Sequence, residues 1–144
     1  MPATQTGYGP AAPAYEGMIA SAELATAISR NAEDAAGIGF GKAAYQGTAD
    51  NGIRASGSVF RGVTLVDHNV RPTNGDAYAR GDSVPVLVRG VVWVTVANNV
   101  AVGASAYLTG SGGFTANPSG TTAIPNASFD SSAAAGGLAK LRLK

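Results

Sequence analysis

Gly81-Asp82-Ser83-Val84-Pro85-Val86-Leu87-Val88-Arg89-Gly90-Val91-Val92-Trp93-Val94 is the stretch on which the fold turns. A strand with one wet face alternates apolar and polar residues. This one hardly does, so both of its faces are expected to be covered. Gly90 divides it into two short extended runs, 84–89 and 91–96, and predicts a hinge between them.

Outward from this pair the texture stays β. Residues 40–46 read as a strand, followed by a turn through 48–52 in which Asn51-Gly52 suits positive φ. Residues 53–59 and 60–66 follow, with Gly62 marking a bulge or a close approach. Residues 67–80 are polar, carry Pro72 and Asn74-Gly75, and read as a loop. Downstream lie candidate strands 105–109, 114–116 and 123–129, the last placed at a sheet edge by Pro125. Leu138, Leu141 and Leu143 mark a final strand. Eight or nine short strands at this spacing predict an all-β fold, a small β-sandwich or barrel of jelly-roll or tulip-like form, with residues 36–144 as its core domain.

Residues 1–35 read differently. Pro2, Pro10 and Pro13 among Gly, Ala and Thr favour an extended arm, with Tyr15 and Met18 as apolar anchors. Within it, 21–30 permits a short helix: Ser21 suits an N-cap, Glu23 the first turn, and Leu24 and Ile28 stand four apart. Thr26, Ile28 and Asn31 equally permit an extended run.

Composition narrows the function. The chain has 144 residues, enough for one domain with its own core. Ten basic against nine acidic residues give a net charge of +1, which argues against free duplex nucleic acid as a partner, since that binding needs a clustered basic footprint. Charged residues are 13% of the chain, about half the usual share. The sequence contains no cysteine, so neither a disulfide framework nor a thiolate metal site is available. No apolar run approaches the roughly 20 residues of a membrane helix, and no secretory leader is read at the amino terminus. Alanine and glycine make up one third of the chain. Such small side chains bury little area each, so association with other protein surface is expected to supplement the core.

Groups that trade protons or attack are few. His68 is the one histidine; pairing it with Ser58 or Ser131 in a nucleophilic arrangement has no support in the spacing. The run Ala36-Gly37-Ile38-Gly39-Phe40-Gly41-Lys42-Ala43 mimics a phosphate loop but holds Ala36 in place of the first glycine and Ala43 in place of the hydroxyl residue. It reads as a Gly-rich lead into a strand. Arg80-Gly81-Asp82 suits a turn before a strand, and Asn126-Ala127-Ser128 is a bare acceptor tripeptide. No cofactor, metal or catalytic residue is expected.

Several short segments, in order, resemble the capsid cement (decoration) proteins of tailed bacteriophages. They are Tyr15-Glu16-Gly17-Met18, Gly39-Phe40-Gly41-Lys42-Ala43, Phe60-Arg61-Gly62-Val63, Asp82 through Val94, Val100-Ala101-Val102-Gly103 before Ala106-Tyr107, and Gly136 through Leu143. The resemblance implies a structural virion protein, not an enzyme, made in the bacterial cytoplasm. It would bind the outer surface of the head and stabilise the expanded capsid, as a homotrimer bridging major capsid subunits. The candidate contact residues are Pro13, Tyr15, Met18 and Ile19 on the arm and Arg61, Arg89 and Trp93 on the core. For Trp93, packing in the core is the simpler reading; for Arg61 and Arg89, solvated surface charge is. The rival readings are another β-rich virion part such as a head-fibre or tail module, a nucleotide-binding recombinase-like protein, and a free-standing small-ligand barrel.

Overall fold

The computed structural model describes residues 14–67 and 77–144. These form eleven strands and no helix: β1 (Thr26–Ala32), β2 (Ile38–Gly39), β3 (Ala43–Gln46), β4 (Gly52–Arg54), β5 (Phe60–Thr64), β6 (Ala77–Tyr78), β7 (Ser83–Thr95), β8 (Ser105–Leu108), β9 (Phe114–Thr115), β10 (Thr122–Phe129) and β11 (Leu138–Leu143). The decisive stretch forms one strand of 13 residues, not two. Its first half belongs to a closed barrel in the order β1-β4-β3-β5-β7, closed because β1 also pairs with β7. Its second half, from Gly90 to Thr95, pairs antiparallel with β11 and opens a second sheet, β7-β11-β10-β8-β9. A bridge from Val96 to Phe114 of β9 brings the far end of that sheet back to the end of β7.

Sharing one strand between two rings explains why its sequence barely alternates. Val84 and Val86 pack into the barrel interior with Ala32, Ile38, Ala44, Ile53 and Tyr78. Leu87, Val92, Val94 and Val96 pack into the larger cluster with Phe114, Phe129 and Leu141. Both faces are covered, as the residue pattern requires. Gly90 keeps the special role expected of it, but as a crossing point within a continuous strand. Its φ is +131°, and a Cβ there would stand 3.1 Å from the Ala25 Cβ and 3.2 Å from the Ala25 Cα. The incoming chain passes directly over this glycine.

Three expectations change. The helix allowed over 21–30 is not formed: β1 runs through 26–32 and pairs with β7 from Thr26↔Arg89 to Asn31↔Ser83. The β-formers Thr26 and Ile28 prevail because a ready-made strand edge supplies their backbone partners. β10 is not an edge strand, since β11 and β8 flank it. Pro125 is tolerated because it lies in the register shift between Ala123 and Ser128, beside Asn126 at φ 57°. The strand expected over 40–46 is broken by a turn at Phe40 and Gly41, leaving β2 and β3.

β2 and β6 form a small separate ribbon. It brings in Tyr78, which is fully buried. The Tyr78 hydroxyl donates to the Leu65 carbonyl, and its ring meets Phe40 edge-on at 5.0 Å. Burial pushes this phenol well above its ordinary range, and Asp67 and Asp82 add to the effect.

Candidate interaction surface

The amino-terminal segment is built onto β7 before it enters the barrel. The Gly17 amide donates to the Trp93 carbonyl at 2.9 Å, the Trp93 amide to Met18 at 2.9 Å, and the Ala20 amide to Val91 at 2.9 Å. Ile19 bridges Val92 in the antiparallel sense. Residues 91 and 93 spend their backbone groups on this segment, and alternate residues of a strand face opposite edges. The segment therefore occupies the edge of β7 away from β11. On the same side the Val66 amide, just past β5, donates to Gly17 at 3.0 Å. Between Ala20 and Thr26 the chain then crosses over Gly90 to the other edge, where it becomes β1.

Two ion-pair groups clamp this strap at its ends. The Glu16 carboxylate pairs with Lys42 at 3.2 Å and accepts the Thr95 hydroxyl. Glu23 pairs with Arg142 of β11, and Arg142 also reaches Asp130 at 3.2 Å. The hydrogen bond from Arg142 holds the Glu23 carboxyl below its ordinary range. So fixed, the strap exposes apolar side chains: Tyr15 and Ile19 are each 45% exposed and Leu24 81%. Exposed apolar groups gathered on one segment make the strap a candidate for protein contact, while Val59 and Val102 are exposed apolar residues elsewhere.

The structure gathers most of the residues singled out from sequence. Tyr15, Met18 and Ile19 lie on the strap, Trp93 on the portion of β7 bonded to it, and Arg89 beyond Gly90, opposite Thr26 at the start of β1. Trp93 is not a core residue: it is half-buried, with the Lys140 ammonium 5.4 Å from its ring centre. Arg89 is exposed and Arg61 half-buried; among the described residues neither has an acidic partner. Arg61 stands apart from the strap, at the bulge of β5 where Ala44 faces Gly62 and Tyr45 faces Phe60. Pro13 and His68 lie outside the described residues. Leu24 was missed from sequence because its spacing from Ile28 suggested a shared helical face. In the extended chain Leu24 sits on the crossing and Ile28 packs into the barrel.

The glycine-rich run of residues 36–43 has its amides committed elsewhere. Gly37 donates to Asp34, Gly41 to the Thr64 carbonyl, Lys42 to the Thr64 hydroxyl and Ala43 to Gly112. Lys42 itself is paired with Glu16. The run is a turn between β2 and β3, and these four amides are spent on backbone and side-chain acceptors of the fold. Arg80-Gly81-Asp82 is a turn leading into β7, the Asp82 carboxylate accepting the Ala79 amide at 2.8 Å. A groove of about 620 Å³ lies between the 56–60 loop and β8 and β10, and no charged residue lines it.

A search of curated protein sequences finds no match. Among solved structures the chain is similar to one in the capsid of Myoviridae phage XM1, with 16% identity, a TM-score of 0.77, and coverage of 96% of this chain and 95% of that one. It is also similar to the head fibre gp8.5 N base of bacteriophage phi29, with 15% identity, a TM-score of 0.50, and coverage of 84% and 95%. At these identities the likeness is one of fold. Over residues 3–144 the sequence matches the phage family described as structural cement protein (E217 gp24/Pam3 gp6). The chain belongs to this family of phage structural cement proteins.

Proposed function

We propose that this protein binds the outer surface of the phage head and stabilises the expanded capsid, as a homotrimer bridging major capsid subunits. The observation that carries the reading is the strap: a family member of this kind holds Tyr15, Ile19 and Leu24 exposed and fixed on β7. Apolar groups held rigidly lose little further entropy on contact, so their burial is retained as affinity. The strap residues Tyr15, Met18, Ile19 and Leu24 form the apolar centre of the contact, with Trp93 beside it. Arg89 meets a carboxylate at its rim, and Arg61 meets one at a separate point on β5. From Gly17 onward the strap is anchored on its own β7, so an arm reaching a neighbour is confined to residues before it, Pro13 among them. Several such contacts per oligomer add avidity without a single strong site.

The test is co-sedimentation of the purified protein with capsid shells, compact precursor against expanded. Saturable binding to expanded shells alone supports the proposal. Equal binding to both keeps the surface role and removes the dependence on expansion. Binding to neither, by folded protein, overturns it and favours a fibre or tail part of the virion.

A further inference from the structure

β1 is paired along its length to β7 but meets β4 only at Asn31 and Ala32. Two bonds fix its backbone polarity. The Asn31 amide donates to Asn51 at 2.8 Å on the β4 side, and the Ala32 amide to Asp82 at 3.0 Å on the β7 side. Alternate residues face opposite edges, so Ala27 and Ser29 turn both backbone groups outward while Ile28 and Arg30 face β7. Among the described residues the outward amides of Ala27 and Ser29 have no partner. The Ser29 carbonyl accepts from Arg30 Nη1 at 2.8 Å, which leaves it a second lone pair. Thr26, Ala27 and Ser29 are exposed. The open edge is bounded at one end by β4 and at the other by the crossing, where Ala25 lies on Gly90.

We infer that this edge pairs with the same edge of a second copy of the chain, antiparallel about a twofold axis at Ile28. In that register Ala27 stands opposite the partner's Ser29, and Ser29 opposite the partner's Ala27. All four outward residues then exchange their hydrogen bonds. A slip of one residue sets outward residues against inward ones and forms no ladder. A slip of two in either direction calls on Asn31, already taken by β4, or on Ala25, held over Gly90. The register also keeps charge apart, because Arg30 falls opposite the partner's Thr26 and not opposite the partner's Arg30. The two Ile28 side chains, each packed partly into its own barrel, become neighbours across the axis. An isologous contact cannot generate a trimer. Resting on the trimer proposed above, it joins copies from neighbouring trimers, linking separate clamps into a net.

The contact is tested in solution, without shells, so its failure is separate from failure of the capsid-binding reading. Across the axis the two copies of residue 28 form a non-hydrogen-bonded pair with Cα atoms about 4.5 Å apart, within disulfide range. The two copies of residue 27 are diagonal, roughly 7–8 Å apart. The natural chain has no cysteine, so each single variant reports one position. Mild oxidation of full-length I28C at high protein concentration is expected to give mostly covalent dimer, and A27C little. Equal yields from the two variants, or none from I28C, overturn the inference. S29P removes an outward amide and leaves the β7 ladder intact; its mass by light scattering is expected to fall below that of the parent, to that of the unlinked clamp. An unchanged mass with a folded circular dichroism spectrum also overturns it. So does loss of the I28C dimer when residues 1–13 are deleted, since the edge would then be filled by a neighbour's amino-terminal segment.

Discussion

Gly90 and Glu33 show how single residues hold the strap and the barrel in shape. Any side chain at residue 90 must adopt φ near +131° and push against Ala25. The conformation alone costs about 1–3 kcal/mol, before the crossing is displaced. Gly90→Val is therefore expected to lower the unfolding free energy by at least that much in denaturant titration, and to expose residues 21–25 to protease. Glu33, just past β1, tucks its carboxylate into the turn between β3 and β4. There it accepts the Thr48 amide at 2.7 Å and the Ala49 amide at 2.9 Å. Gly47 and Gly52 frame it so closely that a Cβ at either would collide with the carboxylate. The Ala49 and Thr48 amides hold this carboxyl below its ordinary value of 4.5. The charged form is thus favoured in the folded state, and the stabilisation is fully present above the unfolded value and lost as pH falls through the lowered folded one. Glu33→Gln is expected to be less stable than the parent at neutral pH, with the gap closing progressively below about pH 4.5. Melting curves of both proteins from pH 7 to pH 3 measure it.

The elements divide by how local their determinants are. The extended, doubly covered character of β7 and the closing strand β11 were legible because an unbroken apolar run and closely spaced leucines each require one kind of environment, but the continuity of β7 through Gly90 was not. The turn at Asn51-Gly52 was legible from its residues alone. β1 was not, because its choice between helix and strand is made by the free edge of β7, far away in sequence. The strap was hidden for a related reason: Gly17 through Ala20 is held by backbone bonds to Val91 and Trp93, which leave no side-chain signature. Tyr15, Met18 and Ile19 could be named from sequence as candidate contact residues, but not that they would lie beside Trp93, nor that Leu24 would join them. The strap's role is tested by Ile19→Ser combined with Leu24→Ser. Exposed positions of this kind shift stability by less than about 0.5 kcal/mol each, so the melting temperature should hold. Binding to expanded shells should weaken about tenfold or more, as loss of roughly 1.4 kcal/mol of apolar burial requires.

For the whole molecule, the shared strand makes two rings into one unit. Ile53 belongs to the barrel interior and Leu141 to the larger cluster, and both are fully buried. Ile53→Ala and Leu141→Ala should each cost about 2–5 kcal/mol. If β7 couples the rings, each substitution lowers the midpoint of one common transition, seen alike by the Trp93 fluorescence and by far-ultraviolet dichroism. Two separated transitions in either variant would mean that the rings melt independently. The barrel-interior cluster is the smaller of the two, with seven buried residues against 18. A continuous strand lets each ring borrow the other's burial.

The alternation of backbone direction along β1 has a consequence in time. In heavy water the amides of Ile28 and Arg30, bonded to β7, trade their hydrogens only when the strand detaches, whereas in a chain whose outer edge is open those of Ala27 and Ser29, one residue away, trade almost at once. A single strand thus carries fast and slow clocks in strict alternation, and any molecule that settles on its outer edge stops only the fast ones.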